Sequence, residues 1–378
     1  MADELPPDAQ ADLDASLDKE MDKAKKAVFD FGNSVFGAVV GSAIADAVGA
    51  GYEFSTGVSE DEQQDIGPIG GGPFNWKPGQ WTDDSEQAVA LLTALSVPAD
   101  EQVTQAAKNI LEWYVSEPAD IGTTTLTVLR SALKENQVQQ VHPVEACFTA
   151  ARRHAVASDT HRLDRSPLLT TMQGCGALMR LSSCALLPTE IDAEQWAIAT
   201  SMLTHGSVHV ADLSAALGQI IWRAAHIDNV RVDQLFRGVF NHFESDTRKE
   251  WETLVSADDE RHSERLKALI PFNGTAPGAL ACALAAIVDT TVIHGNYRFN
   301  PELWFKHCIQ HAVAQGGDTD SVAAIVGSIA GGIVGYRHLP ATWKRVLHGF
   351  NHEGTALVED NLIMLCLKAL TAQQQATS

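Results

Sequence analysis

Gly316-Gly317-Asp318-Thr319-Asp320-Ser321 runs straight into Val322-Ala323-Ala324-Ile325-Val326-Gly327-Ser328-Ile329-Ala330-Gly331-Gly332-Ile333-Val334, an acidic cluster followed by an apolar stretch of helical length. The same order recurs at Thr82-Asp83-Asp84-Ser85, led in by Gly79 and followed by the periodic stretch 88–95. Both read as helix N-termini, where carboxylates and hydroxyls satisfy free N–H groups and complement the helix dipole, an effect of roughly 0.5–2 kcal/mol. One acid suffices for a cap. A second carboxylate one or two residues away adds repulsion of about 1 kcal/mol or more, which a cap does not explain and a cation does. Either cluster alone reads as capping; occurring twice, the two point to bound metal. With no Cys or His beside them, the donors are hard oxygens, the set suited to Mg²⁺, Mn²⁺ or Ca²⁺ rather than zinc.

The chain has 378 residues, 45% of them hydrophobic, enough for a large core. A net charge of −21 opposes phosphate backbones and no Lys/Arg-rich run offers a local exception, which argues against nucleic acid as a partner. The six cysteines (Cys147, Cys175, Cys184, Cys282, Cys308, Cys366) form no CxxC pair and read as reduced, buried thiols. The N-terminal Met1-Ala2-Asp3-Glu4-Leu5-Pro6-Pro7 lacks the basic start and apolar core of a signal peptide. A cytoplasmic location is expected. The most apolar stretch, 322–334, is too short to span a bilayer and reads as a buried helix, so no membrane partner is expected.

Residues 1–33 form an acidic extension in which Leu13, Leu17, Met21, Ala24 and Val28 recur at three- and four-residue spacing, predicting an amphipathic helix. Its stripe either packs on its own domain or stays frayed, or it contacts a partner protein. From there to about residue 372 the pattern is helical almost throughout, with apolar residues at helical spacing over 88–95, 106–114, 124–133, 144–155, 194–203, 210–225, 232–243, 278–288, 303–314, 322–334 and 357–370. An all-α domain over 34–372 follows, with no room for a sheet. Two polar stretches interrupt it. The Gly/Pro-rich loop 57–80 leads into the first acidic cluster and reads as a lid or wall of a site; the charged segment 244–264 reads as a solvated excursion.

A third acidic element lies upstream. In Phe36-Gly37-Ala38-Val39-Val40-Gly41-Ser42-Ala43-Ile44-Ala45-Asp46-Ala47-Val48-Gly49, the residues Gly37, Gly41, Ala45 and Gly49 repeat every fourth position, a face that lets another helix approach closely. Asp46 lies on this apolar helix and Glu53 just past its end, beside Tyr52 and Phe54. A carboxylate in so apolar a segment needs a partner.

The order of these elements resembles the ADP-ribosylglycohydrolase family, of the dinitrogenase reductase-activating type: the Gly-rich helix with Asp46-Ala47-Val48-Gly49 and Glu53, then Pro78-Gly79-Gln80-Trp81-Thr82-Asp83-Asp84-Ser85, then Gly316-Gly317-Asp318-Thr319-Asp320-Ser321. Gly176-Ala177-Leu178-Met179-Arg180, Thr204-His205 and Leu339-Pro340 with Trp343 fit as well, so the likeness spans about residues 34–350. The resemblance implies an all-α, single large orthogonal helical bundle holding two Mg²⁺ ions, with Mn²⁺ as the alternative, and cleavage of the bond between ADP-ribose and a protein side chain. It makes Thr82, Asp83, Asp84, Asp318, Asp320 and Ser321 metal ligands and places Glu53 beside the metals. Ser321 stands where the family commonly has Thr and keeps the hydroxyl; Cys175 stands where it often has Asn.

Breaking a ribose C1″ bond passes through an oxocarbenium-like state, so a catalyst must stabilise positive charge on the ring and activate water. Glu53 is assigned as the carboxylate that accepts or relays the water's proton, with Asp83 and Asp320 as bridging ligands. Gly174-Cys175-Gly176 opens a segment read as helical to Leu187, whose bare N–H groups either hold a diphosphate or simply make a turn. His205 either hydrogen-bonds substrate or caps a helix. Trp76, Trp81 and Phe74 either stack on a base or pack in the core. The leading function is a hydrolase removing ADP-ribose from a modified protein, on arginine by analogy. The alternative is an immunity protein that reverses the modification made by a toxic ADP-ribosyltransferase and occludes that toxin with residues 1–33. A catalytically silent relative has little reason to retain the acidic set.

Overall fold

The computed structural model describes residues 33–59, 61–159, 168–256 and 268–376. The expected extension, with its stripe from Leu13 to Val28, lies outside the described residues. Helices carry the chain: α1 (Asn33–Gly49), α2 (Asp83–Ala94), α3 (Gln102–Val115), α4 (Thr123–Gln139), α5 (Pro143–Asp159), α6 (Glu190–Ser201), α7 (Val208–His226), α8 (Val232–Leu235), α9 (Ser245–Leu254), α10 (Ala276–His294), α11 (Pro301–Ala314), α12 (Thr319–Val334), α13 (Ala341–Val346) and α14 (Glu359–Ala376). Between α13 and α14, β1 (His348–Phe350) and β2 (Ala356–Val358) pair antiparallel, Gly349 opposite Leu357. The all-α reading holds, and this hairpin is the exception to it.

The centre is the pair α1 and α12, buried from Val35 to Gly49 and from Thr319 to Val334. Helices apolar all round belong inside, and small residues bring these two together. A Cβ on Gly41 would lie 2.6 Å from the Gly327 carbonyl oxygen, and one on Gly331 only 2.1 Å from that of Gly37. The fourfold repeat read in the sequence is therefore a helix contact. Its last member decides the site: a Cβ on Gly49 would meet Asp320 Cα at 2.5 Å, and Thr319 Oγ1 donates to the Gly49 carbonyl at 2.8 Å. The C-terminal end of α1 is thus joined to the first turn of α12. α10 is long and apolar enough to cross a membrane, yet it too is a core helix, buried from Ala276 to Val288.

Three local expectations fail. The 232–243 segment is helical only over α8 and then breaks into turns. The 244–264 segment is not wholly solvated: α9 inserts Trp251, fully buried and stacked on Phe240 at 5.4 Å between centroids, so two aromatic rings outweigh the surrounding charge. The segment beginning at Gly174 forms turns and a 3₁₀ helix, Leu181–Leu186, instead of an α-helix. There Cys175 N–H is tied to the Gly274 carbonyl and the Arg180 side chain is drawn inward.

Candidate active site

The first turn of α2 is fixed from α1. Both carboxylate oxygens of Asp46 accept the Thr82 N–H at 3.1 Å, and Oδ2 also accepts the Ser85 N–H at 3.0 Å and the Ser85 hydroxyl at 2.6 Å. The partner that Asp46 needed is a helix N-terminus. Burial still pushes its carboxyl up to about 6 against these hydrogen bonds. Thr82 is the N-cap, its Oγ1 accepting from the Asp84 N–H at 3.3 Å.

The loop before α12 is held on two sides. The Asn273 side chain donates to the Gly316 carbonyl at 2.8 Å and accepts the Asp318 N–H at 3.1 Å. Phe54 N–H donates to the Gly317 carbonyl at 2.7 Å. Gly317 has φ +75°, and a Cβ there would lie 2.4 Å from Asn273 Oδ1, so glycine is required.

These supports bring the three acidic stretches onto one cavity of about 390 Å³. Oxygens of Glu53, Asp120 and Asp320 lie within 4.8 Å of one another, as do those of Asp46, Asp84 and Asp320, so Asp320 belongs to both groups. Ser321 Oγ donates to Asp84 Oδ1 at 3.2 Å, Gln87 Nε2 to Asp83 Oδ2 at 3.1 Å, and Cys175 Sγ to Asp318 Oδ2 at 3.0 Å. Asp84 Oδ2 and Glu53 Oε2 are buried with no hydrogen-bond partner. Burial, and after it the neighbouring carboxylates, hold Asp83, Asp84 and Asp320 well above the usual carboxylate range. Glu53 is pushed up to about 8 by burial, then by Asp120, Asp318 and Asp46. Buried acids without compensating charge are resolved by protons or by a cation. The orphaned oxygens and the oxygen-rich donor set fit a hard divalent ion.

Glu53, Asp83, Asp84, Asp318, Asp320, Ser321, Gly174, Cys175, Gly176 and His205 all line this cavity. Thr82 does not; it is fully buried beneath them. The opposite wall is Asp120-Ile121-Gly122-Thr123-Thr124-Thr125, leading into α4, with Met172, Met179, Gly274 and Phe54. Sequence reasoning missed these, although an acid, a glycine and three hydroxyls at a helix start are a visible signal. Loop 57–80, expected as a lid or wall, contributes no described residue to the lining: its Gly70 and Gly72 turn back against the backbone of Gly51 and Ala50. Trp81 and Trp76 are core residues and Phe74 is partly exposed; none of the three lines the cavity.

A buried chain of hydrogen bonds crosses behind the site. Arg180, fully buried, donates from Nη1 to Gln87 Oε1 at 2.6 Å, and from Nη2 to the Thr200 carbonyl at 2.9 Å and to Thr204 Oγ1 at 2.7 Å. Thr204 Oγ1 lies 2.8 Å from His205 Nδ1. Thr204 Oγ1 accepts from Arg180 and still has its own proton, which meets Nδ1 in the tautomer of the neutral ring that carries its hydrogen on Nε2. Burial, then Arg180, push His205 down to about 3, so the ring stays neutral. Asp83 and His205, on different walls, are thereby fixed through one cation.

The family model described as ADP-ribosylglycohydrolase matches residues 30–376. The chain is 30% identical over 313 residues to the ADP-ribosyl-[dinitrogen reductase] glycohydrolase of Rhodospirillum rubrum, covering 81% of this chain and 87% of that protein. It is 26% identical over 317 residues to the ADP-ribosylarginine hydrolase Tri1 of Serratia proteamaculans (strain 568), covering 81% and 73%. It is 23% identical over 347 residues to the human ADP-ribosylhydrolase ARH3, covering 83% and 89%. A solved structure titled "ADP-ribosylglycohydrolase-related protein complex" shares the fold at a TM-score of 0.58 and 24% identity, covering 90% of this chain and 98% of that one.

Proposed function

The chain belongs to the ADP-ribosylglycohydrolase family and is an enzyme of that kind; from this premise we propose that it removes ADP-ribose from arginine side chains of modified proteins, in the cytoplasm, using two Mg²⁺ or Mn²⁺ ions. The observation that carries the reading is the convergence of carboxylates from three distant stretches on one cavity, two of them, Glu53 and Asp84, each with a buried oxygen that has no partner. Asp83, Asp84, Asp318, Asp320 and Ser321 would hold the ions from the cavity lining and Thr82 from beneath it, and Asp320 belongs to both acidic groups. Bound there, such ions would supply positive charge to offset the carboxylates and to orient the ribose hydroxyls.

The rest is done by side chains. Glu53 stands at the cavity edge with an oxygen free of partners and accepts the proton of the water that attacks C1″. Gly174 and Gly176 expose backbone beside His205, whose Nε2–H donates to the diphosphate. Arginine is favoured as the modified residue because a relative is an ADP-ribosylarginine hydrolase by name and because an acidic cavity suits a cationic leaving group. Incubation with an arginine-linked ADP-ribosylated protein tests this. Release of ADP-ribose that stops with EDTA, returns with Mg²⁺ or Mn²⁺ and falls at least about 100-fold in Glu53→Gln supports the reading; activity indifferent to EDTA or to Glu53→Gln refutes it.

The immunity role remains a second proposal, resting on the acidic, apolar-striped residues 1–33, nearly all of which precede the matched region. Toxin binding unchanged by deletion of 1–33 eliminates occlusion.

A further inference from the structure

Phe54 has no folding reason to be where it is. Its φ of 59° lies in the left-handed region, which costs a residue with a Cβ roughly 1–2 kcal/mol, and its side chain is 67% exposed, so core burial offers no return. The bend itself is needed, because Phe54 N–H reaches the Gly317 carbonyl and ties the α1 end to the second acidic motif. Glycine or asparagine makes that bend at lower cost. What phenylalanine adds is a ring on the rim of the cavity, one residue from Glu53 and on the same lining as Asp120. An outlier retained at a site is evidence for a task there.

The task follows from what leaves through that rim. Glu53 marks the C1″ end of the substrate, so the group attached to C1″ emerges beside it. An arginine leaving group is a planar cation, and an exposed aromatic face flanked by carboxylates is the surface such a cation stacks on. We propose that Phe54 stacks on the guanidinium of ADP-ribosylated arginine and so sets the preference for arginine-linked conjugates; this rests on the hydrolase reading above.

Steady-state kinetics on an arginine-linked conjugate, product inhibition by ADP-ribose and thermal melting test the proposal in Phe54→Ala, Phe54→Leu and Phe54→Trp. Ala and Leu are expected to lower kcat/KM about 5- to 20-fold, the size of a partly desolvated cation–π contact, while Trp keeps it within about twofold of wild type. Inhibition by ADP-ribose, which lacks the guanidinium, stays unchanged, and the melting temperature of Phe54→Ala is no lower than wild type. Wild-type kcat/KM in Phe54→Leu overturns the proposal, since an apolar contact would then suffice. Weakening of ADP-ribose inhibition by the same factor also overturns it, by placing the ring on the ADP-ribose portion. If the wild-type enzyme releases no ADP-ribose from the arginine conjugate but binds ADP-ribose, the hydrolase reading fails first and the stacking falls with it.

Discussion

Asp46 and Asp84 have oxygens within 4.8 Å of each other yet stand in opposite states. Three donors of the α2 start, the Thr82 N–H, the Ser85 N–H and the Ser85 hydroxyl, turn to Asp46, whereas Asp84 keeps one buried oxygen with no partner. One carboxylate is structural and the other is available, a distinction made by hydrogen bonds and invisible in composition. The sequence reading placed a helical acid at Asp46 and left its partner open, because the donor lies 36 residues downstream. Asn273 escaped for the same reason, since it sits in no motif and its partners Gly316 and Asp318 lie 43 and 45 residues downstream, whereas Asp120 opens a readable stretch that was passed over. At this scale the Thr204 relay gives a prediction. Thr204→Val removes the hydroxyl that orients His205 while keeping the side-chain volume. ADP-ribose affinity measured by calorimetry should fall about tenfold, the loss of one oriented hydrogen bond, with the His205 ring-nitrogen shifts changed in its NMR spectrum. Unchanged affinity would contradict the relay.

Between elements, the small-residue face of α1 and α12 is the part of the fold most legible beforehand, since its period of four shows in one strand of text. Its mate went unread, although Ala323, Gly327 and Gly331, again four apart, mark the matching face of α12. The turns from Gly174 to Arg180 misled because Ala177 to Arg180 favour helices, whereas two glycines, the bond from Cys175 N–H to the Gly274 carbonyl and the anchoring of Arg180 on Gln87 and Thr200 hold the segment in turns. Gly327→Ala places a Cβ 2.3 Å from the Gly41 carbonyl oxygen and should destabilise by about 2–3 kcal/mol. It should also lower activity more than stability loss explains, because it spreads Glu53 from Asp320. Gly122→Ala meets nothing within 4 Å and has φ −60°. Its melting temperature should match wild type; a comparable drop in both variants would show that close approach is not what Gly327 provides.

Across the whole molecule the acid content becomes a pH response. Asp46, Glu86 and Glu53 sit near 6, 7 and 8, all above the unfolded carboxylate range near 4, with burial the first cause of each. The folded protein therefore binds more protons than the unfolded chain between those values. Stability from these groups is complete below about pH 4 and is lost as pH rises through their folded values. In EDTA the melting temperature should fall from pH 5 to pH 8, and Glu53→Gln should flatten the upper part of that fall. Mg²⁺ should restore the loss most strongly at pH 8, where protons no longer compete for the oxygens. A melting temperature in EDTA that rises over this interval would refute the sign.

The small hairpin reaches further than its size suggests. Its Phe350 carbonyl accepts Trp81 Nε1–H at 3.0 Å, its His348 carbonyl accepts the Trp81 N–H at 2.9 Å, and Gly349 lies flat against the indole, all one residue ahead of Thr82. Residues 348–350 therefore act as a remote clasp on the chemistry without lining the cavity. A bulkier residue at Gly349, or a protease cut in the 351–355 bend, would shift Thr82 and the acids that follow it while leaving the central helix pair intact. Enzyme damaged there should still fold but need more magnesium to work.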